Sequence, residues 1–117
     1  MAKMTTHEDL NGFRIVTLRG EIDAFTAPAL RLELERLIEG SASASTFVID
    51  LAEVTFLDSS TLGALVGALR LLRGRGTTLR VVEPEGVAAR IFAQTGLDAV
   101  LALYPTRELA LSSGATG

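Results

Sequence analysis

Three hydroxyl side chains stand in a row at Ser59, Ser60 and Thr61, directly after the carboxylate of Asp58. They follow the largely apolar stretch that begins at Phe47 and precede a helix-like run that continues from Leu62. Hydroxyls are thus placed where a strand hands over to the N-terminus of a helix. Unpaired backbone N–H groups and the positive end of the helix dipole gather at such a place. A hydroxyl there has two chemical uses. It can cap the helix by accepting an amide hydrogen bond. It can also gain and lose a phosphoryl group, whose negative charge a helix N-terminus favours. For Ser59 the immediate neighbours leave both uses open, and Ser60 reads as a first-turn residue. A second acidic pair, Glu21 and Asp23, follows Gly20 after an earlier apolar run. Aspartate commonly bonds its own turn backbone, so these carboxylates are turn residues or partner contacts.

Other chemistries are poorly supplied. The chain has no Cys, which removes disulfides and thiolate metal sites. Its single histidine, His7, cannot supply a histidine metal cluster or a His-based triad within one chain. No glycine loop of the phosphate-cradling type is present. The only lysine is Lys3, which excludes the late lysine of a receiver-type acidic phosphoacceptor pocket. No metal and no cofactor is expected. A net charge of −3 argues against nucleic acid as a direct partner. No apolar run reaches the roughly 20 residues that span a bilayer. The first residues carry no apolar stretch of the signal-peptide type. The expectation is a cytoplasmic protein with no membrane partner.

The elements that must position these groups are legible. The chain has 117 residues, 48% of them hydrophobic, enough for one domain with a largely aliphatic core. Phe13–Arg19 alternates as a half-buried strand, and Asn11-Gly12 is a tight turn joining it to a partner strand that includes Leu10. Gly20 is expected to break that strand, leaving Glu21–Asp23 as a short loop. Thr26 and Pro28 open a helix whose apolar stripe is Leu30, Leu34, Leu37 and Ile38, and Gly40 closes it before the loop Ser41–Ser45. Thr46–Leu51 reads as a central strand interrupted by Asp50, expected to bond nearby amides. A second helix covers about Ser60–Arg73, where Gly63 and Gly67 imply close packing against the sheet. A strand at Thr77–Val82, a turn at Glu83–Gly86, a helix at about Val87–Thr95, a strand at Val100–Leu103 and a helix from Pro105 to Leu111 complete the chain. Residues 1–8 and 112–117 are expected as loose ends. The alternation implies an α/β domain: a mixed sheet of four to five strands with about four helices.

On these residues the chain resembles the anti-sigma factor antagonists, the bacterial STAS-domain proteins. Phe56-Leu57-Asp58-Ser59-Ser60-Thr61-Leu62-Gly63 is similar to the family signature, Gly20-Glu21-Ile22-Asp23 with Thr26 to its Gly-Glu-Leu/Ile-Asp turn, and Arg90–Leu97 to its third-helix ending. The resemblance spans about the whole chain as a single STAS domain. It implies a partner switch in transcription regulation. The unphosphorylated antagonist binds an anti-sigma factor, which releases its sigma factor. That anti-sigma factor is also a serine kinase and ends the complex by phosphorylating the antagonist, and a PP2C-type phosphatase dependent on Mn²⁺ or Mg²⁺ reverses the step. By position the resemblance makes Ser59 the phosphoacceptor, with Asp58, Ser60, Asp23 and Glu21 beside it. Many members carry Gly where Thr61 stands, so Thr61 adds a third candidate hydroxyl. Leu57, Leu62 and Phe25 are candidate interface anchors, with core packing as the alternative for each. The rival function is an accessory STAS subunit of a lipid-transport or stress-signalling complex, without a switch. The rival class, a nucleotide-binding protein, has no motif to specify it.

Overall fold

The structure is a computed structural model and describes residues 5–40, 46–83, 87–96, 99 and 101–112. The expected loop Ser41–Ser45, the turn residues Pro84–Gly86, Leu97, Val100 and the end from Ser113 lie outside the described residues. The chain begins with a hairpin of β1 (Thr5–Leu10) and β2 (Phe13–Ile22). Asn11 and Gly12 have φ of 50° and 87°, the left-handed pair that a two-residue Asn-Gly turn requires. Leu10 and Phe13 close the ladder, as the turn predicts. Residues 5–8 are not a loose end: Thr5 pairs with Leu18 and Glu8 with Ile15. Their polar sequence hid the strand, because an exposed edge strand carries no apolar face to recognise.

Gly20 bends β2 without ending it. The strand continues to Ile22 beside β3 (Thr46–Leu57), which itself runs six residues past the expected Leu51. The parallel register starts at Phe13 with Thr46 and ends at Ile22 with Leu57. Twelve residues of β3 therefore match ten of β2, and the excess is taken up at two shifts, one between Thr17 and Arg19 and one between Gly20 and Glu21. Gly20 has φ of 82°, so glycine suits this irregular step. The remaining elements are α1 (Ala27–Glu39), α2 (Ser59–Gly74), β4 (Thr78–Val82), α3 (Val87–Thr95), β5 (Ala102–Tyr104) and α4 (Arg107–Leu111). The sheet order is β1-β2-β3-β4-β5, antiparallel at the first pair and parallel afterwards. The expected mixed sheet, element order and four helices are all present.

Alternation along the strands separates two cores. Val16, Leu18, Phe47, Ile49, Leu79 and Val81 form one cluster with Leu30 and Leu34 of α1, Leu65 and Leu72 of α2, and Phe92 of α3. Phe13, Ile15, Val48 and Val82 meet Ala110 of α4 on the opposite side. Two arginines secure α4 there. Arg80 lies over the rings of Phe13 and Tyr104, and its Nη1 donates to the Ala110 carbonyl at 2.7 Å. Arg107 donates to Asp50 Oδ2 at 2.9 Å, to Thr17 Oγ1 at 2.8 Å and to Glu8 Oε1 at 3.0 Å. Asp50 also accepts from the Ala52 amide at 2.9 Å, the local role expected of it.

Candidate functional site at the ends of β2 and β3

Parallel pairing of Ile22 with Leu57 brings two strand ends together, so the segments that follow them share one end of the sheet. The first is the turn Asp23–Thr26. Asp23 Oδ1 accepts from the amides of Phe25 and Thr26, each at 3.0 Å, and from Thr26 Oγ1 at 3.2 Å. The Asp23 carbonyl accepts from Ala27 N at 2.8 Å. Thr26 occupies the N-cap position of α1, but its hydroxyl makes no cap bond to the helix and instead accepts from Asp23 N at 2.9 Å. Asp23 therefore organises the turn, and the amide of Thr26 above all holds its carboxyl below the usual aspartate value.

The second segment is the first turn of α2. Asp58 is the N-cap, accepting from Ser60 N at 2.9 Å. Ser59 is thus relieved of capping. It is exposed, and no group among the described residues bonds its hydroxyl. Ser60 is half-buried. Thr61 is 0% exposed, and its Oγ1 donates to the Ile22 carbonyl at 3.2 Å. Neither Thr61 nor Leu57, 1% exposed, is a surface contact, which corrects the expectation for both. Leu62, at 6%, is likewise a core residue. Phe25 is 92% exposed, so core packing, the alternative reading for it, does not hold. Glu21 is exposed on β2, paired with Phe56.

An open groove of about 570 Å³ adjoins Ser60 between α1 and α2, lined by Ala24, Ala27, Pro28, Leu32, Gly63 and Ala64 with the ion-paired Arg31 and Glu35. Gly63 is exposed, and a Cβ built on it would meet nothing within 4 Å. At Gly67 only Arg31 Nε, 3.8 Å away, would be met. Close packing against the sheet, expected from the sequence, is not the reason for these glycines. Sequence reasoning also passed over Leu32 and Phe56, 62% and 45% exposed. The signal for Leu32 was an apolar residue off the stripe of α1.

The family model of the STAS domain matches residues 2–110. The chain belongs to the STAS domain family. The STAS chain is 38% identical over 88 residues to an anti-sigma-B factor antagonist of Listeria monocytogenes, covering 74% of each chain. It is 34% identical over 86 residues to an anti-sigma-B factor antagonist of Bacillus subtilis, covering 74% of this chain and 76% of the relative. Among solved structures, an anti-sigma factor antagonist from Mycobacterium paratuberculosis superposes with a TM-score of 0.85 at 37% identity, covering 94% of this chain and 92% of the other. The three sequence segments that suggested the family play different parts in this STAS fold. The Gly20–Thr26 and Asp58–Thr61 segments meet at one end of the sheet as the candidate site, whereas the Arg90–Gly96 segment packs into the fold. Phe92 there is fully buried, Thr95 Oγ1 donates to the Ile91 carbonyl at 2.8 Å, and Gly96 turns the chain with φ of 78°. No described helix is long and apolar enough to cross a membrane.

Proposed function

We propose that this STAS protein is an anti-sigma factor antagonist that works by partner switching. Its unphosphorylated form binds an anti-sigma factor that is also a serine kinase, and a sigma factor is set free. Phosphorylation of Ser59 ends the complex, and a PP2C-type phosphatase restores it. The observation that carries this reading is the division of labour at α2: Asp58 caps the helix, leaving the adjacent Ser59 hydroxyl exposed and unengaged among the described residues. The names of the Listeria and Bacillus relatives support the antagonist role.

The chemistry of the switch is electrostatic. A phosphoserine carries about −1.5 to −2 charge and three acceptor oxygens. On Ser59 it would stand beside Asp58, close in the fold to the Asp23 turn, on a surface that a partner meets through a neutral hydroxyl. Binding falls by tenfold for each 1.4 kcal/mol or so of unfavourable contact. The remaining partner contacts in this reading come from Asp23, Glu21, Ser60, Phe25 and the groove floor. Little refolding is needed, because Ser59 holds up no other part of the domain.

The test is incubation with the host's ATPase-type serine kinases and ATP, followed by phosphopeptide mapping. A phosphate on Ser59 that is lost in Ser59→Ala is expected. Ser59→Glu should weaken kinase binding at least tenfold while Ser59→Ala retains it. Equal affinities of the two variants would sink the switch, and absence of phosphorylation by every such kinase would leave a STAS accessory module.

A further inference from the structure

Thr61 is the polar residue most thoroughly removed from solvent at this end of the molecule, at 0% exposure. A buried hydroxyl is tolerated when it is hydrogen-bonded. Here the bond goes from Oγ1 to the carbonyl of Ile22, 39 residues earlier in the chain. Ile22 ends β2 and immediately precedes Asp23. Thr61 lies two residues after Ser59 in the first turn of α2.

Each half of the site is organised within itself. Asp23 gathers the amides of Phe25 and Thr26, and Asp58 holds the amide of Ser60. Neither carboxylate reaches the other segment. Among the described residues, the Thr61–Ile22 bond is the side-chain hydrogen bond that joins the end of β2 to α2. Backbone pairing stops just below it, at Ile22 with Leu57.

We propose that Thr61 is a positioning residue: its buried hydroxyl sets the Asp23 turn relative to Ser59, so that a partner meets both as one preformed surface. The proposal rests on the reading of Ser59 as a partner-facing phosphoacceptor. A preformed surface spares the partner the ordering cost of two independent loops. Thr61 touches no partner itself and acts through the two segments it connects.

The test compares Thr61→Val, which keeps the shape and removes the donor, with Thr61→Ser, which keeps the donor. Amide hydrogen exchange is read at Phe25, Thr26 and Ser60, with Leu79–Val81 of β4 as an internal reference. In Thr61→Val, exchange at the three site amides rises about tenfold, the scale of one lost hydrogen bond, and the β4 amides hold. Thr61→Ser behaves as the unmodified protein. In kinase assays on the full chain, KM for Thr61→Val rises about tenfold while kcat stays within about twofold, and Thr61→Ser restores KM. Uniformly faster exchange including β4, or unchanged exchange at Phe25 and Thr26, would overturn the proposal, as would a Thr61→Ser variant no better than Thr61→Val. If unmodified protein is not phosphorylated on Ser59, the functional reading fails. The exchange measurement still decides whether Thr61 couples the two segments.

Discussion

A carboxylate oxygen that accepts three hydrogen bonds favours its charged form. Asp23 Oδ1 is in that position, with the Thr26 amide the largest influence and the Thr26 hydroxyl and Phe25 amide adding to it. Its folded pKa lies below its ordinary value, so the turn's electrostatic stabilisation is complete above that ordinary value. It is lost only as pH falls through the lower folded value. The Phe25 and Thr26 amide resonances should therefore titrate with a midpoint below that of aspartate in an unstructured peptide. Asp23→Asn should abolish the titration, and a midpoint at or above the peptide value would refute the assignment. The same scale explains the unusual residue of the motif. Thr61 departs from the glycine common in the family, yet it is no third acceptor, because its hydroxyl is buried and committed to Ile22. The sequence singled out Ser59 only through the family resemblance and left Thr61 open as a further acceptor. Rotation of about 100° per helical residue sends Ser59 outward, Ser60 toward the groove and Thr61 inward.

Helix α2 shows how an element can carry a residue that its own stability disfavours. Glycine in a helix interior costs about 1 kcal/mol relative to alanine. At Gly63 a methyl group in place of the hydrogen would have no neighbour within 4 Å, so packing gives no return for that cost. Gly63 instead helps line the groove beside Ser60. Gly63→Ala should raise unfolding free energy by about 0.5–1 kcal/mol in urea titrations and, on the proposed reading, weaken kinase binding. A loss of stability would show that the groove floor has no room for the added methyl. The strands show the opposite relation of sequence to structure. β1 is paired throughout although its polar residues suggest a loose end, and β3 runs on past Leu51 beside β2 through two register shifts. There the sheet supplies the backbone partners, and the ladder prevails over local composition.

Across the whole molecule, the second face of the sheet is secured by pairs far apart in sequence. Arg107, near the end of the described chain, bonds Asp50 of β3, Thr17 of β2 and Glu8 of β1. The Asp50 side chain is 6% exposed against 34% for Arg107, so removing the arginine strands a buried charge. Arg107→Ala should destabilise the domain by about 2–3 kcal/mol, below the range for fully buried pairs because Arg107 is partly solvated. In an Asp50→Asn background the same change should cost less than half as much, as a double-mutant cycle would show. Equal costs in both backgrounds would assign the loss to packing alone. The anchoring of α4 was not readable beforehand, since Asp50 and Arg107 are 57 residues apart and carry no mutual signature.

By itself the sequence determined the order of elements, the hairpin at Asn11-Gly12, the buried face of α1, and the segments that form the candidate site. These are local matters: hydrophobic period, turn chemistry and motif spacing act over a few residues. Only the tertiary structure decided which motif residues face outward. It placed Leu57 and Thr61 inside and Phe25 and Ser59 outside. It also brought Asp23 and Ser59 to one end of the sheet, through the parallel pairing of Ile22 with Leu57. Exposure and cross-chain pairing depend on what packs against a residue, and for Thr61 that partner lies 39 residues away.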